Sequence, residues 1–119
     1  MAIGTQSDFS MHSGDTRTLE ITVKDEDSAV VNISTATITW ALSKQDSASV
    51  APKGAAIVTK TVGDGVTITD GPNGRVDVAI SAADTSALSG DYYHELEVTI
   101  SSSVSTVLFG TVTIKKDLI

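Results

Sequence analysis

Tyr92-Tyr93-His94-Glu95-Leu96-Glu97-Val98-Thr99-Ile100 is the stretch whose reading decides the fold. Tyr92, His94, Leu96, Val98 and Ile100 alternate with Tyr93, Glu95, Glu97 and Thr99. A period of two places one set on each face of a β-strand, one toward a core and one toward water. The same alternation recurs outward in both directions. Leu19, Ile21 and Val23 alternate with Glu20 and Thr22. Ala36, Ile38, Trp40 and Leu42 alternate with Thr37, Thr39 and Ala41. Val76, Val78 and Ile80 alternate with Asp77 and Ala79, and Leu108, Val112 and Ile114 share a face with Gly110 between them. Weaker strands are expected near Ser7–Met11, Ala56–Val62 and Gly65–Thr69.

Turn chemistry separates these runs. Ser13-Gly14-Asp15 precedes one strand and Asp25-Glu26-Asp27-Ser28 follows it. Asp70-Gly71-Pro72-Asn73-Gly74 predicts a hairpin, because Pro fixes φ while Asn and Gly tolerate positive φ. Ser101-Ser102-Ser103 predicts another. Ser81 to Leu88 has low β-propensity and an N-cap serine, which predicts a short helical turn over Ala82–Leu88 that crosses between sheets. Ser43 to Gly54 is polar, contains Pro52, and reads as an exposed loop. Leu88-Ser89-Gly90-Asp91-Tyr92 has the spacing of a tyrosine corner, whose phenol bonds back to the turn before its strand. Trp40, the one tryptophan, falls mid-strand and is expected in the core. Together these signals predict a single all-β domain over residues 1–119. Its expected form is an immunoglobulin-like sandwich of seven to eight antiparallel strands with one short helical turn.

Composition narrows function. The 119 residues carry a net charge of −7 and no cysteine. Disulfides and thiolate metal sites are therefore excluded. Binding to nucleic acid or to an anionic membrane surface is disfavoured, since both need a basic footprint. No run approaches the ~20 apolar residues of a membrane span, and the N-terminus lacks the pattern of a signal peptide.

Candidate chemistry is sparse. Glu95 and Glu97 lie on one face, roughly 7 Å apart, a separation compatible with a glycosidase pair; a solvated strand face is the expected reading. Asp25, Glu26 and Asp27, and likewise Asp64, Asp70 and Asn73, read as polar turns rather than ion sites. His12 and His94 are the two histidines, and His94 on an apolar face is expected to be a hydrogen-bonded core residue. Asn32-Ile33-Ser34 matches a glycosylation sequon but is expected to stay unmodified without a secretory signal. No catalytic, cofactor-binding or metal-ligating residue is assigned, and the chain is expected not to be an enzyme.

The ordered series Gly14-Asp15-Thr16 to Val23-Lys24-Asp25-Glu26-Asp27, Ala36 to Leu42, Thr67 to Asp70 with Gly74-Arg75-Val76, Leu88 to Tyr93 and Glu97-Val98-Thr99 resembles small Ig-like domains of tailed-bacteriophage virions. The N-terminal domain of baseplate upper proteins is the nearest type. The resemblance spans most of the chain and departs from the family at the Ser28-Ala29 and Ser101-Ser102-Ser103 turns. It implies a virion structural protein assembled in the host cytoplasm, on tail, baseplate or capsid. Its implied partners are other virion proteins, including the major capsid protein, and further copies of itself in a homo-oligomer. Docking is expected through strand edges, the Ser43–Gly54 loop and the terminal segments Met1–Ser10 and Lys115–Ile119, with Leu118 and Ile119 available for burial. The alternative is a carbohydrate- or cell-surface-binding module, for which Tyr93 and Phe109 are the aromatic candidates.

Overall fold

Alternation of this kind buries one face of each strand only if the strands pair, and in a computed structural model they pair into one curled, mixed sheet. The described residues are 4–45, 52–116 and 118. The strands are β1 (Thr5–Gln6), β2 (Phe9–His12), β3 (Arg17–Thr22), β4 (Thr37–Gln45), β5 (Pro52–Val62), β6 (Gly65–Asp70), β7 (Arg75–Ile80), β8 (Gly90–Ile100) and β9 (Ser103–Lys115). Their order across the sheet is β1-β9-β8-β4-β5-β6-β7-β3, with β2 also on the outer side of β9.

The core is the set that alternation picks out. Ile38, Trp40, Val76, Val78, Leu96 and Val98 are almost wholly buried, with Trp40 at 0 % exposure. Burying an aromatic side chain of this size carries several kcal/mol, and truncation to alanine costs about 3–5 kcal/mol. On β9 the inward face holds Leu108, Gly110, Val112 and Ile114, as expected, and also Val107. The register with β8 slips between Leu96 and Glu97, so Val107 is an extra residue opposite no partner. A bulge of this kind reverses which residues face inward.

The turns follow their sequences. The Asp70–Gly74 segment joins β6 to β7 as an antiparallel hairpin through a 3₁₀ turn at Gly71–Asn73, closed by Gly74 in the left-handed region at φ 72°. A Cβ on Gly74 would meet the carbonyl oxygens of Val23 and Val31 at 2.7 and 2.8 Å. The glycine thus lets this hairpin seat against the β3–β4 connection. The helical turn is shorter than the expected Ala82–Leu88: α1 spans Ala82–Thr85 and starts at a capping box between Ser81 and Asp84. It carries the chain from β7 to β8, which are not neighbours in the sheet.

Three expectations change. The strands are not all antiparallel, because β1 and β2 lie parallel to β9 and β5 meets β6 in parallel at Thr61↔Gly65 and Val62↔Val66. The latter pairing is a local kink in which Gly63 and Gly65 have φ 87° and 95°. Ser43–Gly54 is not a loop throughout: Ser43 to Gln45 belong to β4, Pro52 to Gly54 belong to β5, and Gln45 pairs with Pro52. Proline fits there because it stands first in its strand. Residues 46–51 lie outside the described set. Last, the weak N-terminal strand predicted over Ser7–Met11 begins only at Phe9 as β2; Ser7 and Asp8 are the break that separates it from β1.

The β8–β9 hairpin turn is made by Ser101 and Ser102, with φ 48° and 71°. Two-residue hairpin turns with positive φ at both centres match strand twist but favour Asn-Gly. Non-glycine residues pay about 1–2 kcal/mol for the left-handed region. The double substitution Ser101→Asn, Ser102→Gly should therefore raise unfolding free energy by about 1–2 kcal/mol, read as a higher urea midpoint at unchanged slope; an unchanged or lowered midpoint would contradict the strain assigned to this turn.

Candidate functional site

The most heavily constrained polar group is His94. Alternation aims it inward, and it is 0 % exposed. Trp40 Nε1–H donates to His94 Nδ1 at 3.1 Å, and His94 Nε2 lies 2.7 Å from the Ser7 carbonyl oxygen. Indole can only donate and a carbonyl can only accept. The imidazole is thereby held neutral, with its proton on Nε2. Burial pushes its pKa below the usual histidine range, against the opposing pull of the Ser7 carbonyl and the Asp8 charge. Phe9 packs edge-on to the ring at 5.2 Å, and the Arg17 guanidinium lies 4.5 Å from the Phe9 ring centre.

The bond to Ser7 requires a break in the N-terminal strand. Ser7 N–H still donates to Phe109 O at 2.7 Å, but the next acceptor along the ladder is a side chain: Asp8 Oδ1 accepts from Thr111 N–H at 2.8 Å. This substitution lets the Ser7 carbonyl turn inward to His94. It also explains Gly110, which is paired with His94 in register. A Cβ there would fall on the Ser7 carbonyl and the Asp8 carboxylate. Both nitrogens of His94 are thus taken by protein groups, which removes it as a metal ligand, and His12 is exposed on β2.

The other singled-out residues fall as follows. Tyr92 makes the corner contacts: its hydroxyl accepts from Ser89 N–H at 3.1 Å and donates to Ser89 O at 3.2 Å. Asp25 caps its own turn, accepting from Asp27 N–H and Ala29 N–H through Oδ1. Asn73 donates to Asp70 at 2.8 Å. Asn32 is exposed, and its Oδ1 accepts from both the N–H and the hydroxyl of Ser34. Glu97 is exposed, whereas Glu95 is half-buried and accepts from the Tyr93 hydroxyl at 3.0 Å. Among the described residues, no group of three or more His, Asp or Glu side chains could hold a metal ion. No helix among them is long and apolar enough to cross a membrane.

Three surfaces are available to a partner. One is the free edge of β3, which pairs with β7 on one side and with no described strand on the other. A depression beside it is lined by Arg17, Leu19, Ile21, Val107 and Leu108. The second is an apolar hollow of about 350 Å³ at the β8–β9 hairpin end, formed by Val30, Val31, Val98 and Ile100 and rimmed by Asp25 and Ser103. Val30 is 46 % exposed there, while Val104, 56 % exposed, lies on the opposite face of the hairpin. The third lies on the outer face of β8 and β9. Tyr93 and Phe109, the aromatic candidates named from the sequence, are both half-buried and line one depression with Gln6 and Thr111. Of the terminal residues, Leu118 is 98 % exposed, while residues 1–3, 117 and 119 lie outside the described set.

No protein-family model matches this sequence, and no curated protein matches it.

The His94 arrangement dictates a pH dependence. A histidine whose pKa is lowered by folding binds its proton more tightly when unfolded, so its contribution is complete above about pH 6.5 and is lost as pH falls. Asp84 acts in a lower window: partial burial opposes its charge, but Lys60 at 2.8 Å and the Ser81 cap outweigh this and lower its pKa. That contribution is lost as pH falls below the usual aspartate range. The unfolding free energy from urea titration should be level from pH 8 to 7 and then fall between pH 6.5 and 5.5, by at most about 1.4 kcal/mol per pH unit, with the midpoint falling in step. A midpoint that stays level to pH 5.5 would contradict the neutral, doubly bonded imidazole.

Proposed function

We propose that the chain is a non-enzymatic structural module, an Ig-like sandwich that docks on other proteins of a tailed-phage particle. The observation that carries the fold reading is the Tyr92–His94–Trp40 set. In Ig-like sandwiches a tyrosine corner stands two residues before a cysteine on strand F, and a strand C tryptophan packs against that cysteine's bridge. Here Tyr92 makes the corner contact, His94 stands two residues on, and Trp40 of the neighbouring strand bonds to it. A hydrogen-bonded histidine stands at the position of the strand F cysteine in a chain without cysteine. The strand order supports the same reading. The kink at Gly63–Gly65 divides the sheet into β3-β7-β6 and β5-β4-β8-β9, the arrangement of strands B-E-D and C′-C-F-G.

The docking role is supported by the surfaces. An unpaired strand edge offers backbone donors and acceptors to a neighbour, and an apolar hollow with the half-exposed Val30 in its wall suits burial against a partner. The phage setting rests on the resemblance of the ordered series Gly14 to Asp27, Ala36 to Leu42, Thr67 to Asp70 with Gly74 to Val76, Leu88 to Tyr93 and Glu97 to Thr99. Tail or baseplate attachment and capsid decoration both fit that setting, and assembly as a homo-oligomer within the particle is part of the proposal.

Quantitative mass spectrometry of purified particles of the encoding phage tests this. The protein should co-purify at fixed stoichiometry: a handful of copies per particle means tail or baseplate, and hundreds mean capsid decoration. Its absence from washed particles would sink the proposal.

A further inference from the structure

The outer face of β8 and β9 holds a feature that docking through edges and the hairpin end does not use. Tyr93 and Phe109 face outward from a sheet surface that otherwise carries threonines and acidic residues, with Val104 toward the hairpin end. In register, Phe109 pairs with Glu95 on one side and with Gln6 on the other, while Tyr93 pairs with Thr111. The rings are therefore diagonal neighbours across the two strands, close enough for long side chains to share a surface patch. They line a depression of about 340 Å³ with Gln6, Gly110 and Thr111. This is at the small end of the range of ligand pockets.

The polar groups around it are fixed in advance. The Tyr93 hydroxyl donates to Glu95 Oε2 at 3.0 Å, which orients the carboxylate beside the rings. A carboxylate can accept about four hydrogen bonds, and Tyr93 uses one. Burial, reinforced by the Glu95 charge, raises the Tyr93 pKa, so the phenol stays a donor at neutral pH. On the far side, Gln6 Nε2 donates to Asp8 Oδ2 at 3.3 Å, which holds the amide at the rim.

We propose that this depression binds a neutral sugar ring of a glycan. An aromatic face carries negative charge density that attracts polarised C–H groups, and a pyranose presents such C–H groups on its faces. Its hydroxyls are donors that suit the oriented Glu95 carboxylate and the Gln6 amide. Charge selects among sugars. Asp91, Glu95 and Glu97 stand on the outer face of β8, Asp8 lies at the break between β1 and β2 beside it, and the chain carries net charge −7. Uronic and sialic acids, phosphorylated glycans and nucleotides would meet like charge. The reading is independent of particle docking, since binding is measured on the isolated protein.

The test is native affinity electrophoresis of the purified chain in gels containing dextran, mannan or soluble β-glucan, with polygalacturonate and hyaluronate as anionic counterparts. Retardation is expected in at least one neutral polysaccharide and in neither anionic one. Phe109→Ala and Tyr93→Ala should each weaken the apparent affinity by about tenfold or more. Glu95→Gln leaves the rings in place and should weaken it by about threefold to tenfold, with circular dichroism unchanged. Migration unaffected by every neutral polysaccharide, or retardation equal in the wild type and both ring variants, would overturn the assignment. Retardation only in the anionic gels would overturn it as well.

Discussion

The hydrogen-bonded chain from the Trp40 indole through His94 to the Ser7 carbonyl is the constraint on which the rest of the structure depends. It lies where water cannot compensate, so each group must be matched: one donor, one ring with an acceptor and a donor, one acceptor. A buried polar group left without its partner costs about 1–3 kcal/mol, a large share of the stability of a small domain. The match therefore dictates the tautomer, and it also dictates backbone. Ser7 can reach His94 only because Asp8 takes over the ladder bond to Thr111 and because Gly110 leaves room. Three residues distant in sequence are explained by one buried ring.

The same economy appears at the ends of the sheet. Tyr92 ties the start of β8 to Ser89. Thr85, buried in α1, accepts from Gly14 N–H at 2.9 Å and so fastens the β2–β3 turn to the helix. The Asp84 carboxylate closes the capping box and pairs with Lys60 of β5. Lys60 in turn lies over Gly65, where a Cβ would meet its Cδ at 2.5 Å. Two of these contacts, Gly14–Thr85 and Lys60–Asp84, tie α1 to the β2–β3 turn and to β5.

Much of this was legible in the sequence, for reasons particular to each element. Alternation in β4, β7 and β8 names the core because burial is one-sided there. Ser81 and the Asp70–Gly74 turn carry their chemistry locally, as does the corner at Tyr92. What was hidden depends on pairings between distant segments. The parallel arm β1–β2 has no local signature, and its break at Ser7–Asp8 follows from a ring 87 residues away. The one trace was Gly110 inside a strand pattern, a common mark of close backbone approach. The extension of β4 and β5 through Ser43–Gln45 and Pro52–Gly54 was masked by polar composition and a proline. The Val107 bulge breaks the alternation that would have revealed the start of β9. The meeting of Tyr93 and Phe109 was likewise out of reach, because it depends on a register that only pairing sets.

The central claim is that a neutral, Nε2-protonated His94 bridges Trp40 and Ser7. Long-range ¹H–¹⁵N NMR correlation of the His94 side chain at pH 7 tests it most directly. The account predicts one tautomer, protonated at Nε2 alone, with a Trp40 indole proton protected from solvent exchange. An imidazolium, a mixture of tautomers or a freely exchanging indole proton would contradict it.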